Sequence, residues 1–214
     1  MSRQMQTVIE AKAGLGNVCC IYNPVNTALI HDKSQQSAGV DIDRPFIMAV
    51  GRLEAQKRFD LLLEAFALAS AAEHCQLLII GEGSQLPTLQ AQILRLGLEE
   101  RVKLLGFDDN PYRYMAKARF LVMSSDYEGY PLVLIEALAL GCPVVSTDCP
   151  TGPREIIQPG VNGLLVEKGS VQAIAAGIDA LFFDDDLRTA MAEQAVLSVR
   201  DNDIAAVADR WLAA

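Results

Sequence analysis

Phe46-Ile47-Met48-Ala49-Val50-Gly51 is a continuous apolar run closed by a glycine. A strand with one wet face alternates, so a run that is apolar at every position predicts a strand covered on both sides. Toward the C-terminus the pattern recurs. Leu77-Leu78-Ile79-Ile80-Gly81, Val102-Lys103-Leu104-Leu105-Gly106, Phe120-Leu121-Val122-Met123, Pro143-Val144-Val145-Ser146 and Gly163-Leu164-Leu165-Val166 read as further strands. Helical spacing lies between them. Leu62, Ala65, Phe66 and Ala69 mark a helix over 60–72, and others are expected over 86–96, 112–118 and 131–140. Ile174, Ile178, Leu181 and Phe182 form a last apolar stripe, and two polar-faced helices end the chain. Buried strands alternating with helices predict an α/β fold, a doubly wound, Rossmann-like parallel sheet built by right-handed crossovers.

Residues 1–44 read differently. The stretch 16–22 holds one short strand candidate, broken by Asn23-Pro24, and 28–44 is polar and without periodicity. The expected division is an interdomain hinge or arm over 1–44 and a ligand-binding domain over 45–214.

The 214 residues are 51% hydrophobic and 21% charged, ordinary for a soluble globular chain. A net charge of −9 argues against nucleic acid, which needs a broad basic face, but leaves room for a small anionic ligand. The five cysteines are odd in number and contain no C-x-x-C, so neither a disulfide framework nor a zinc site is expected. Several sit in apolar runs as small core residues of a reducing compartment. The opening residues are polar, and the longest apolar run, 132–140, is short and contains Glu136. The expectation is a cytoplasmic protein.

In an open parallel sheet, ligands bind beyond the carboxyl ends of the strands. The first strand is followed by Gly51-Arg52-Leu53-Glu54-Ala55-Gln56-Lys57-Arg58. Gly51 admits close backbone approach, and Arg52 with Lys57 can clamp a diphosphate, the guanidinium forking two oxygens. Taken alone, this is a solvated charged loop. The second strand is followed by Gly81-Glu82-Gly83-Ser84-Gln85-Leu86, which lacks the third glycine of a dinucleotide fingerprint and reads as a tight turn beside a ligand.

The strongest feature follows the fourth strand: Ser124-Ser125-Asp126-Tyr127-Glu128-Gly129-Tyr130-Pro131-Leu132-Val133-Leu134-Ile135-Glu136-Ala137. Pro131 suits a first helical position, and the amides of Gly129, Tyr130, Leu132 and Val133 then lie at a helix N-terminus, a ready anion site. Glu128 lies in the loop. Glu136 lies on an otherwise apolar helix and needs hydrogen bonds or a cation. Two partners are open: a sugar diol, or an internal salt bridge to Arg154 or Arg119. After the fifth strand, Asp148-Cys149-Pro150-Thr151-Gly152-Pro153-Arg154-Glu155 makes a turn into a short helix.

Together G-R-L-x-x-x-K, the Glu128-x7-Glu136 spacing within E-G-x-P-x-x-x-x-E-A, Ile21-Tyr22-Asn23-Pro24-Val25-Asn26, T-G-P-R-E-I-I and Gly160-Val161-Asn162-Gly163-Leu164-Leu165-Val166 resemble the retaining GT-B glycosyltransferases of the family 4 type. The likeness covers about 17–200 and corresponds to the C-terminal, donor-binding half of that fold. It implies that Arg52 and Lys57 hold the donor diphosphate and stabilise leaving-group charge. It implies that Glu128 contacts donor-sugar hydroxyls and that Glu136 binds the ribose. Backbone at Gly51, Gly129, Tyr130, Pro131 and Leu132 would meet sugar and phosphates, backbone near Phe107 would pair with the base, and Gly83 would lie close to the nucleotide. The resemblance implies no metal cofactor, a UDP-sugar as the preferred donor over GDP- or ADP-sugars, and an N-terminal acceptor-binding domain supplied in cis or in trans. A lipid-linked acceptor would bring the whole enzyme to the cytoplasmic membrane face.

Competing readings are a non-catalytic nucleotide-binding or regulatory module and, more distantly, an NAD(P) enzyme resting on the defective glycine loop. Asp41-Ile42-Asp43, Asp184-Asp185-Asp186 and Asp201-Asn202-Asp203 sit away from strand carboxyl ends and read as solvated acidic surface rather than metal sites. His31 and His74 fall in no motif. The absence of G-x-S-x-G and G-x-x-x-x-G-K-[ST] argues against a serine hydrolase and a P-loop NTPase.

Overall fold

The computed structural model describes residues 2–14, 16, 18–37, 39, 42 and 44–213. Asp41 and Asp43 of the first acidic pattern lie outside the described residues. In chain order the elements are α1 (Arg3–Ala13), α2 (Thr27–Ser34), β1 (Phe46–Val50), α3 (Phe59–Leu68), β2 (Gln76–Ile80), α4 (Leu86–Leu96), β3 (Val102–Leu104) and α5 (Tyr112–Met115). They continue with β4 (Leu121–Met123), α6 (Leu132–Ala139), β5 (Val144–Thr147), α7 (Pro153–Ile156), β6 (Gly163–Val166), α8 (Val171–Phe183), α9 (Asp185–Ser198) and α10 (Ile204–Leu212).

The six strands form one parallel sheet in the order β3-β2-β1-β4-β5-β6. The chain winds outward from β1 to β3, crosses back to β4, and winds outward again. The reversal between β1 and β4 is the topological switch point of a doubly wound sheet, where the two connections leave in opposite directions and open a crevice.

Alternate strand residues face two cores. Ile47, Ala49, Leu77, Ile79, Val122 and Val145 pack with Leu62 and Phe66 of α3 and with Ile174 and Ile178 of α8. Phe46, Met48, Leu78, Ile80, Leu121 and Val144 pack with Tyr114 of α5 and with Leu134, Ile135 and Leu138 of α6. Both faces of every central strand are therefore dry, which is why the sequence shows apolar runs instead of alternation. Cys75, Cys142 and Cys149 are buried small core residues, whereas Cys19 is exposed.

Three expectations change. The helix read over 60–72 stops at Leu68, and a tighter turn over Ser70–Glu73 follows. Asp179 of α8 accepts the amides of Ser70 and Ala71 at 3.1 and 2.8 Å, which stabilises this new start. The polar arm contains α2. Asn26 caps it by accepting the Leu29 amide at 2.9 Å, and Ile30, 3% exposed, anchors it in the core shared with α5 and α6. One buried apolar side chain and a cap leave the periodicity of this docked helix faint. The strand candidate over 16–22 forms no ladder among the described residues. Val25 beyond it makes one parallel bridge to Asp203.

Among the described residues no helix is long and apolar enough to cross a membrane. Leu62 is fully buried between the sheet and α8. Leu62→Ala is expected to lower stability by about 2–5 kcal/mol, read as a lower urea midpoint with an unchanged slope.

Candidate functional site

The loops after β1 and β2 are in backbone contact. Leu53 donates its amide to the Glu82 carbonyl at 2.8 Å, and Gln85 returns one to the Leu53 carbonyl at 2.9 Å. A Cβ on Gly81, whose φ is +149°, would stand 1.9 Å from the Gly51 carbonyl oxygen; one on Gly83 would stand 2.4 Å from that of Leu53. The two glycines of the second loop are thus required by the first loop. A cleft of ≈ 320 Å³ opens beside this contact, walled by Val50, Gly51, Ile80, Gly81 and Phe107, with Arg52 among its lining. Gly83 is seated on Leu53, outside that lining. Phe107 is 70% exposed, and its amide donates a long bond, 3.4 Å, to the Glu82 carboxylate.

Across the switch point the β1 and β4 loops are stitched together. Asp126 donates its amide to the Gln56 carbonyl at 2.9 Å, Gln56 Nε2 donates to the Tyr127 carbonyl at 2.6 Å, and Ser124 Oγ donates to the Lys57 carbonyl at 2.8 Å. Arg58 sits in the left-handed region, φ 51° and ψ 41°, with its guanidinium on Asp60 and Asp126. A second cavity, ≈ 340 Å³, flanks this pair, but its one arginine is already neutralised. The cations that matter are elsewhere. The Lys57 stem crosses Gly51, where a Cβ would stand 3.3 Å from Cε, and Nζ reaches Glu128 Oε1 at 2.6 Å. Ser125 Oγ donates to the same oxygen at 2.6 Å. Arg52 is exposed, with no ion-pair partner among the described residues. Lys57 and Glu128, 71 residues apart in the chain, therefore meet where β1 and β4 end, and Arg52, in the same loop as Lys57, lines the cleft beside Gly51.

Pro131 is the cap residue, extended at φ −72° and ψ 100°, and α6 begins at Leu132. The sequence reading placed Pro131 one position later, inside the helix. The missing N–H is harmless at either place, and only the packing selects between them: a Cβ on Gly152 would stand 2.6 Å from Pro131 Cδ. Gly129 lies beside α1, with Met5 Cε 3.5 Å from where its Cβ would be. The Tyr130 ring turns away from the crevice, stacked on Tyr22 at 4.7 Å, so only its backbone is available there.

Glu136 is half-buried on α6, and the internal salt bridge does not form. Arg154 pairs with Asp148, and Arg119 pairs with Asp185 at 3.3 Å. The carboxylate has one hydrogen bond, from Tyr112 Oη to Oε1 at 3.1 Å. Burial raises its pKa above 4.5, and the Tyr112 bond opposes this only in part. The Tyr112 phenol is itself pushed up to about 12 by burial and by the Glu136 charge, so it remains a donor at neutral pH. The sequence assigns no role to Ser125 or Tyr112, because only the folded backbone turns these hydroxyls onto the two glutamates.

Other candidates have structural uses. Thr151 Oγ1 donates to the Glu128 carbonyl, fixing the β5–α7 turn against the β4–α6 loop. Asp184 caps α9 by accepting the Leu187 amide at 2.8 Å, and Asp203 accepts the Thr27 hydroxyl at 2.5 Å and the Ala205 amide at 3.0 Å. Asp184, Asp185, Asp186 and Asp201 are exposed, and within this acidic surface Asp184 and Asp203 also serve as caps and ties. Among the described residues no three His, Cys, Asp or Glu side chains gather as a metal site requires.

A raised carboxyl pKa means the folded state holds its proton more tightly than the unfolded state. Glu136 therefore costs stability as pH rises from about 4.5 through its folded pKa, and the cost is fully present above that. Glu136→Gln is expected to melt higher than the parent at pH 7 in the absence of ligand. The difference should vanish below about pH 4.5. A lower melting temperature for the variant at both pH values would remove the burial argument.

Residues 31–197 match the family described as glycosyl transferases group 1. Over 175 residues the chain is 40% identical to the N-acetylgalactosamine-N,N'-diacetylbacillosaminyl-diphospho-undecaprenol 4-alpha-N-acetylgalactosaminyltransferase of Campylobacter jejuni, covering 82% of this chain and 47% of that protein. It is 35% identical over 162 residues to the lipopolysaccharide 1,6-galactosyltransferase of Salmonella typhimurium, covering 72% and 43%. The chain thus spans about half the length of these curated relatives. Among solved structures, Anabaena HepE in complex with UDP superposes with a TM-score of 0.90 at 26% identity, over 99% of this chain and 61% of that one. The doubly wound sheet that the sequence resemblance implied is the sheet observed, and this chain belongs to the glycosyl transferases group 1 family.

Proposed function

We propose that this chain is the donor-binding half of a retaining glycosyltransferase that moves a hexosyl group from a UDP-sugar to a glycan or lipid-linked acceptor. An N-terminal acceptor-binding domain, in cis or in trans, completes the enzyme. The observation that carries this reading is the meeting of Lys57 and Glu128 at the switch point, with Arg52 exposed in the lining of the cleft beside Gly51. The relatives support it. The Campylobacter jejuni protein is named for a diphospho-undecaprenol-linked acceptor, and Anabaena HepE has been solved with UDP and with UDP-glucose.

The chemistry follows from the residues. Breaking the bond between the anomeric carbon and the diphosphate oxygen leaves negative charge on that oxygen. Lys57 carries three N–H donors, so it can keep Glu128 and still face a phosphate, while Arg52 offers a free fork. Cations fixed before the reaction stabilise that charge without reorganisation, the role a metal ion fills in other transferases. Amides of Gly129 and of the first turn of α6 face the same anion. Glu136, short of one partner, accepts the two ribose hydroxyls, and Glu128 accepts a hydroxyl of the sugar. The base enters the cleft between Gly51 and Phe107. This reading places the enzyme in the cytoplasm, at the membrane face where its acceptor is lipid-linked.

Thermal shift with UDP, GDP, ADP, UDP-sugars and NAD tests the reading. A ligand at about a hundred times its Kd adds roughly 2.7 kcal/mol. Stabilisation by UDP and a UDP-sugar, unchanged by EDTA, is expected. Glu136→Gln should weaken UDP and UDP-sugar alike, and Glu128→Gln should weaken the UDP-sugar more than UDP. NAD binding tighter than UDP, or equal losses from both glutamate variants, would overturn the assignment.

A further inference from the structure

We propose that Ser125 is a positioning residue for the donor sugar, acting through Glu128. The inference rests on the donor-site reading above. Ser125 follows β4 directly and is fully buried. Its hydroxyl donates to Glu128 Oε1 at 2.6 Å, a length typical of a charge-assisted bond, and Lys57 Nζ reaches the same oxygen at 2.6 Å. Ser125 is held in turn. Thr147, the buried last residue of β5, donates its hydroxyl to the Ser125 carbonyl at 2.7 Å. The Glu128 backbone is fixed independently, its amide on the Pro150 carbonyl at 3.3 Å and its own carbonyl under Thr151 Oγ1. Among the described residues nothing takes Glu128 Oε2.

A carboxylate with one oxygen doubly engaged and the other open presents a single acceptor in one orientation. Lys57 has donors for both groups, but its ammonium moves on a flexible stem and is shared with an arriving diphosphate, so alone it fixes the carboxylate loosely. Ser125 carries no charge, has no reason to turn toward a phosphate, and is screened from solvent. It keeps Oε1 occupied while Lys57 is shared. Ser125 therefore matters to ligands that carry a sugar and hardly at all to the bare nucleotide.

The test measures Kd on this chain for UDP, UDP-glucose, UDP-galactose and UDP-N-acetylglucosamine. With the tightest of the three UDP-sugars, Ser125→Ala is expected to lose about tenfold in affinity while UDP changes by less than about twofold. Ser125→Thr, which keeps the hydroxyl, should recover most of the loss. If Ser125→Ala does not fold, the near-isosteric Ser125→Cys, a much weaker donor, carries the same comparison. Equal losses for UDP and UDP-sugar, or no recovery in a folded Ser125→Thr, would overturn the proposal by making Ser125 merely structural. Glu128→Gln in parallel separates the two readings. If it erases the sugar preference and Ser125→Ala does not, only this inference falls. If wild type shows no sugar preference, or Glu128→Gln leaves it intact, the donor reading falls with it.

Discussion

A 2.6 Å ion pair between Lys57 and Glu128 joins two loops that the topology drives apart. β1 and β4 are neighbours, yet the chain leaves them in opposite directions, toward β2 on one side and β5 on the other. A crevice between such strands is unavoidable, and its walls would be independent loops without cross-links. Here the walls are bound by the ion pair, by Gln56 to Tyr127, by Asp126 to Gln56 and by Ser124 to Lys57. The two side chains are only 17% and 9% exposed, so desolvation cancels much of their attraction. What the pair secures is geometry. Removing either partner would leave a charge facing a dry wall, and this keeps both loops in one arrangement.

The second carboxylate follows the opposite logic. Glu128 has a cation and a hydroxyl on one oxygen, whereas among the described residues Glu136 has one phenol and no cation. A helix as apolar as α6 makes the Glu136 charge expensive, and no fold-building reason for it is visible. A half-buried carboxylate that weakens its own fold and has an oxygen to spare fits the proposed role of accepting a ligand's hydroxyls. The two glutamates thus differ in kind: Glu128 is held rigid by two donors, and Glu136 has a single one among the described residues.

Much of this was legible in the sequence because both faces of the sheet are buried. Strands such as 46–50 and 77–80 read as unbroken apolar runs, and the loops after them could be identified before any contact was known. The glycines were legible as close-approach points, but not their partners: Gly81 and Gly83 make room for the backbone of the β1 loop. Elements anchored by a single side chain were not legible. α2 buries a single apolar side chain, Ile30, and is otherwise held by its cap and by polar bonds such as that of Asn110 to the Lys33 carbonyl, so its pattern looks like polar coil. Ser125 and Tyr112 were invisible for a different reason. A serine beside a strand and a tyrosine on a short helix are commonplace, and nothing in their type or position marks either as the donor of one particular carboxylate: the first bond depends on the shape of the loop after β4, the second on the packing of α5 against α6.

Tyr130 shows how the remaining part of the loop is fixed. Its ring stacks on Tyr22 with the planes 10° apart, and its hydroxyl accepts Asn202 Nδ2 at 2.7 Å. Tyr22 Oη donates to Glu155 at 3.0 Å, and the same carboxylate accepts the Arg3 and Gln4 amides at 2.8 and 3.0 Å. Five segments meet at this knot: the start of α1, the residues leading to Val25, the loop before α6, α7, and the turn before α10. The turn is tied to Val25 as well, through amide bonds of 2.9 Å in both directions. A stacked aromatic pair contributes about 1 kcal/mol beyond its burial and tolerates little sliding. Moving the segment around Tyr22 relative to the sheet would therefore unstack Tyr130 and loosen the turn that Pro131 and Gly152 otherwise hold in a single conformation. The loop that carries Glu128 and Gly129 is set from one side by Lys57 and from the other by a segment outside the sheet, so the shape of the crevice depends on both.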